Sequence, residues 1–144
     1  CDAIQSVESL ELAEKVNQAA AAMNKVMPIF IQLNLTGEEQ KHGMSVAEGE
    51  DGFPRIHGEV DQPRLRETIE HVKELKNLHL LGFMTIGKHG DPEMTRRAFR
   101  RCRQLADLFG LKEVSMGMSE DYPIAIEERA TMVRVGSLVF AEPL

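Results

Sequence analysis

The sequence predicts an α/β fold, a parallel sheet with helical cover that is too short to close an eight-stranded barrel. Three observations predict it. Short apolar runs alternate with amphipathic stretches of helical period along the chain, the pattern of successive βα units. The chain has 144 residues, whereas a complete (β/α)₈ barrel takes about 250. Hydrophobic residues make up 42% and charged residues 28%, the usage of a folded domain rather than of a disordered or fibrous chain.

Ala3–Val7 reads as a short strand end. Ser9–Lys25 reads as a helix, because Leu10, Ala13, Val16, Ala20 and Met23 recur at helical spacing and Ser9 can cap the start. Pro28–Leu35, PIFIQLNL, is an apolar run broken only by Gln32 and Asn34, which marks a buried strand. Residues 37–60 are rich in Gly, Glu and Asp and are expected to form a long mobile loop. Asp61–Lys76 is a helix with Pro63 near its first turn and Leu65, Ile69, Val72 and Leu75 on one face.

Leu78–Ile86 is the second buried strand. Asp91 caps the next helix and Pro92 takes its first position. Met94, Ala98, Cys102, Leu105 and Phe109 form its apolar stripe, and Gly110 ends it. Val114–Met118 is a third strand, Tyr122–Arg129 a short helix and Met132–Phe140 a fourth strand. Five βα-like units result, a partial barrel or a small open sheet in a single domain over residues 1–144.

Composition excludes several function classes. Seventeen basic and 23 acidic residues give a net charge of −6. That balance argues against broad electrostatic binding of nucleic acid or an anionic membrane. The basic run Arg96, Arg97, Arg100, Arg101 and Arg103 spreads over a helix and reads as a solvated face. No apolar run approaches the length that spans a bilayer. Two cysteines, Cys1 and Cys102, make no disulfide framework. With no secretory signal at the N-terminus, a cytoplasmic protein is expected. The first residue is not Met, so the natural start is expected upstream. No zinc spacing, P-loop or nucleophile elbow is present.

Ligands in parallel α/β folds bind at the carboxyl ends of the strands. Those ends carry Asn34-Leu-Thr-Gly, Met84-Thr-Ile-Gly, Ser115-Met-Gly-Met-Ser and Arg134-Val-Gly-Ser. Glycine backbone and serine hydroxyls at the last two can cradle a phosphate, or the glycines can serve tight turns alone. Arg134 lies inside an apolar run. Its charge needs either a structural ion pair or a ligand cavity. Gln32 and Asn34 carry the same two readings. Met84, Met116, Met118 and Met132 are expected in the core. His71 and His79 read as surface positions, and His42, His57 and His89 fall in loops.

The segments SVESLELAEKVN (6–17), QLNLTGEEQKHG (32–43), LLGFMTIG (80–87), SMGMSEDYPIAI (115–126) and TMVRVGSLVF (131–140) resemble, in this order, the YggS/PROSC family of pyridoxal phosphate homeostasis proteins. The likeness runs from about residue 4 to residue 140. It implies a partial TIM barrel, about the last five βα units of an alanine-racemase-like barrel that binds pyridoxal 5′-phosphate (PLP). It implies a non-catalytic role in binding, buffering and delivering PLP, with PLP-dependent apoenzymes as partners. By motif, Ser115, Met118 and Ser119 would lie beside the cofactor, Gly136 and Ser137 would hold its phosphate, and Arg134 would face the pyridine nitrogen.

The chain also departs from the family. The first three barrel strands have no counterpart here, and with them goes the lysine of a V-S-K-x-x-P motif that forms the Schiff base. Lys41 and Lys88 do not match that motif. Ala130 replaces the usual Gly before Thr131, the F-G-x-R ending is replaced by Phe140-Ala-Glu-Pro, and residues 47–58 read as a local insertion. The chain is therefore expected to be the C-terminal portion of a longer PLP-binding protein, holding PLP non-covalently at most. An open barrel edge predicts marginal stability or self-association. Two alternatives remain at this level: an alanine-racemase-like PLP enzyme, and an interaction module with a vestigial cofactor site.

Overall fold

The computed structural model describes residues 2–36, 43–45 and 63–140. The strands are β1 (Ile4–Val7), β2 (Met27–Asn34), β3 (Met44–Ser45), β4 (Leu78–Thr85), β5 (Glu113–Met118) and β6 (Met132–Arg134). The helices are α1 (Leu10–Ala22), α2 (Pro63–Glu74), α3 (Pro92–Leu108), α4 (Tyr122–Glu127) and α5 (Ser137–Phe140). All strand pairings are parallel, in the order β1-β2-β4-β5-β6, with β3 added to the end of β2. The five main strands form a half-barrel with helices outside.

The local signals act where the residues place them. Ser9 Oγ accepts from the Leu12 amide at 3.2 Å, and Asp91 Oδ1 accepts from the Met94 amide at 2.9 Å. Each satisfies a helix-end donor that has no partner within its helix. Ile29, Phe30, Ile31 and Leu33 of β2 and Phe83 of β4 are buried at 1% exposure or less. Ile29, Ile31, Leu33 and Phe83 meet Leu65, Ile69 and Val72 of α2 and Ala98, Phe99, Cys102, Leu105 and Ala106 of α3 in one core. A run buried on both faces is what a central parallel strand requires.

Four expectations need correction. The fourth strand stops at Arg134 rather than Phe140. The chain turns at Gly136, whose carbonyl accepts from the Val139 and Phe140 amides, and Leu138, Val139 and Phe140 stand exposed. Met84 and Met116 are core residues, but Met118 and Met132 are exposed, because Met118 ends β5 and Met132 lies on the end strand β6. The basic run is not all a solvated face. Arg103 is buried and donates to the Leu111 and Lys112 carbonyls, in the segment that joins α3 to β5, and to Asp107. Finally, Met44–Ser45 forms a strand within the expected loop; the rest of residues 37–60 lies outside the described residues.

Arg96 and Arg100 converge on Glu128, with Arg100 bidentate at 2.9 and 3.0 Å, and so tie α3 to the end of α4. The Arg100 guanidinium holds the Glu128 carboxyl below its usual range, helped by Arg96 and opposed by burial. A depressed native pKa contributes stability that is present above the unfolded value of about 4.3 and is lost as pH falls through the native one. Glu128→Gln is therefore expected to lower the melting temperature at pH 7 and to match the wild type near pH 3. Equal melting temperatures at both pH values would remove this role.

Candidate functional site at the carboxyl ends of β4, β5 and β6

A cleft of about 410 Å³ opens where three strands end. Ile86, Gly87 and His89 follow β4. Met118, Ser119, Glu120 and Asp121 end β5 and begin its turn. Arg134, Gly136 and Ser137 end β6 and begin α5. The volume falls in the range of small-ligand sites.

Arg134 is the best-anchored of these groups. Its Nη1 donates to Ser115 Oγ at 2.9 Å and its Nη2 to the Thr85 carbonyl at 3.1 Å. Partial burial pushes its pKa down, and the Asp121 carboxylate pulls it back up. Arginine stays protonated in any case. Asp121 begins α4 without capping it. Its Oδ1 instead accepts from the Met118 amide at 2.6 Å and closes the turn after β5. Gly117, within β5 just before that turn, has φ +94, and an added Cβ would lie 2.5 Å from Ala125 Cβ. No other residue fits both the backbone and the space.

Gly136 borders open space, with nothing within 4 Å of where a Cβ would stand. Its amide faces Ser119 Oγ at 3.4 Å. Backbone and hydroxyl donors from two strand ends thus meet on one wall. Across the mouth, His89 Nδ1 lies 3.1 Å from Glu120 Oε2, both exposed.

Of the six residues singled out from the sequence, Met118, Ser119, Arg134, Gly136 and Ser137 line this one cleft. Ser115 does not line it. It is fully buried and holds Arg134 from beneath. Gln32 is buried within β2 and Asn34 ends that strand, away from the cleft. Asp121 and His89 were missed as site residues. Asp121 carried one readable signal, an acidic residue directly before Tyr122-Pro123 at a helix start. Cys102 is free, and burial pushes its thiol up to about 12, against the pull of Arg103 and Arg134, so it is no nucleophile. Among the described residues no cluster of His, Cys, Asp or Glu could hold a metal ion, and no helix is long and apolar enough to cross a membrane.

The family model described as "Alanine racemase, N-terminal domain" matches residues 2–143. The chain belongs to that family. Among curated relatives, the pyridoxal phosphate homeostasis protein of Aquifex aeolicus is 36% identical, over 96% of this chain and 57% of its own length. The chain thus spans about half the length of the curated relatives it matches. The solved PipY of Synechococcus elongatus PCC7942 with PLP bound superposes with a TM-score of 0.76 at 27% identity, covering 97% of this chain and 61% of PipY. Alanine racemase of Clostridium difficile 630 shares the fold, with a TM-score of 0.64 at 16% identity over 98% of this chain and 34% of the enzyme.

Proposed function

We propose that this chain contributes the phosphate and ring-nitrogen side of a non-catalytic PLP site that binds, buffers and delivers the cofactor. One observation carries the reading: a doubly anchored guanidinium and a wall of Gly136, Ser119 and Ser137 donors share a single cleft. The donor set fits PLP. Gly136 and Ser137 take the phosphate, with Ser119 beside them. Arg134 donates to the ring nitrogen, with Ser115 behind it and Met118 along the ring.

That arrangement has a chemical consequence. PLP in an enzyme supplies an electron sink, and a protonated pyridine nitrogen deepens it. Arginine only donates, so a nitrogen that accepts from Arg134 stays unprotonated and the ring is a poor sink. Among the described residues lining the cleft none is a lysine or a tyrosine. A poor sink fits a carrier better than a transaminase.

Absorbance titration should show saturable PLP binding. Borohydride treatment followed by peptide mass analysis should show no single lysine modified in proportion to that binding. One stoichiometric lysine adduct would overturn the non-covalent reading, absence of saturable binding the PLP reading, and turnover of alanine enantiomers the non-catalytic one. The proposed recipients are PLP-dependent apoenzymes in the cytoplasm; an apo-transaminase should recover activity faster from the loaded chain than from buffer diluted to the same free PLP. β1 and β6 are the sheet's edges, and exposed Leu138, Val139 and Phe140 adjoin β6. We propose that the chain self-associates through this border, so sedimentation velocity should show a concentration-dependent mass. A monodisperse, cooperatively melting monomer would remove that proposal.

A further inference from the structure

We propose that Gln5, on β1, is a positioning residue for the ligand-facing guanidinium of Arg134, acting through the hydroxyl of Ser115. The proposal rests on the PLP reading for its ligand but not for its geometry.

A hydroxyl carries one proton and two acceptor sites. Arg134 Nη1 lies 2.9 Å from Ser115 Oγ and can only donate to it. The serine proton must therefore point elsewhere. Gln5 Oε1, at 2.7 Å, receives it. Ser115 is fully buried, so no water substitutes for that acceptor, and a buried hydroxyl without one is costly. The amide of Gln5 is itself oriented, since its Nε2 donates to Met132 Sδ on β6 at 2.9 Å. The polarity of the whole chain follows: Arg134 to Ser115, Ser115 to Gln5, Gln5 to Met132.

The second arm of Arg134 is fixed by a different pair of strands. Nη2 donates to the Thr85 carbonyl of β4, and Thr85 Oγ1 donates to the Leu33 carbonyl of β2 at 2.9 Å. A planar guanidinium held by two acceptors from separate strands has one orientation, and its remaining N–H groups take their direction from it. Gln5 stands at the start of the chain and Ser115 is 110 residues further on. The first strand thus reaches across the concave face of the half-barrel to set the donor direction at the last one. Removing the Gln5 acceptor frees the Ser115 rotor to turn its proton toward the guanidinium, which loosens Arg134 without touching the ligand.

The test uses Gln5→Met, which keeps the length and removes the amide, and Gln5→Glu, which keeps the acceptor. Gln5→Met is expected to weaken PLP binding about tenfold, the scale of one lost hydrogen bond, and to lower the melting temperature, because the buried Ser115 hydroxyl loses its acceptor. Gln5→Glu should bind nearly as the wild type does. In a Ser115→Ala background Gln5→Met should cost nothing further, because the relay is already cut. In the ligand-free chain, the ¹⁵N signals of the Arg134 Nη groups, assigned with Arg134→Lys, should be resolved in the wild type and averaged in Gln5→Met. A purely structural Gln5 would lower the melting temperature while leaving PLP affinity and the Arg134 signals unmoved, and a loss of affinity equal in both backgrounds would place Gln5 outside the relay; either outcome overturns the proposal. Should Gln5→Met not fold, Gln5→Asn, which withdraws the amide by one methylene, carries the same comparisons. If the wild-type chain binds no PLP, the functional reading falls, and the guanidinium signals alone decide the role of Gln5.

Discussion

Arg134→Ala is expected to weaken PLP binding at least about thirtyfold, more than any other single change in the cleft. Truncating a partly buried, hydrogen-bonded charge at a binding site costs about 2–5 kcal/mol, and each 1.4 kcal/mol is tenfold. The substitution removes the donor to the ring nitrogen. It also strips a partner from the Ser115 hydroxyl and from the Thr85 carbonyl. Folding should suffer less than binding, because burial already disfavours this charge in the native state. Arg134→Lys keeps the charge but has no fork to span both acceptors, and a loss of about tenfold is expected. Absorbance titration of PLP at fixed ionic strength, run beside a thermal melt, separates the two effects. An unchanged affinity in Arg134→Ala would mean that the guanidinium serves the fold alone and that the ligand sits elsewhere.

The legible features were local. Caps at Ser9 and Asp91 act within three residues of themselves, and β2 and β4 announce their burial as mostly apolar runs. The strand-end residues could be gathered into one site because parallel topology puts all carboxyl ends on one side. What stayed hidden depends on distance in sequence. Arg103 looks like its surface neighbours until carbonyls eight and nine residues away need its donors. Leu138, Val139 and Phe140 carry strand chemistry but have no layer to cover them, so hydrophobicity there does not report burial. Gln5 sits in a strand of four residues with no pattern to mark it. Its role exists only once β1, β5 and β6 share the concave face.

Gly82→Ala is expected to leave the chain largely unfolded under conditions where the wild type is native. Gly82 on β4 pairs with Glu113 on β5. A Cβ at Gly82 would lie 1.7 Å from the Glu113 carbonyl oxygen, 2.6 Å from its carbon and 3.1 Å from its Cα. All three are backbone atoms, so no rotamer can relieve the clash. The strands would have to separate where their pairing begins. Close approach at this point is built into the sheet's curvature. Pairing of β2 with β4 skips from Ile29–Leu80 to Phe30–Gly82, a bulge that bends β4 beside the glycine. Among the described residues β6 pairs with β5 alone, so the loss spreads to Arg134 and the cleft. Overpacking of this severity exceeds about 3 kcal/mol, a large share of a typical total of about 5–15 kcal/mol. Gly90→Ala is the control. Its Cβ would meet nothing within 4 Å, and only the strain of φ +72 remains, about 1–2 kcal/mol. Urea midpoints for both variants measure the contrast. A Gly82→Ala chain that unfolds no earlier than Gly90→Ala would show that β4 and β5 tolerate separation, and with it that the curvature of the sheet does not depend on this glycine.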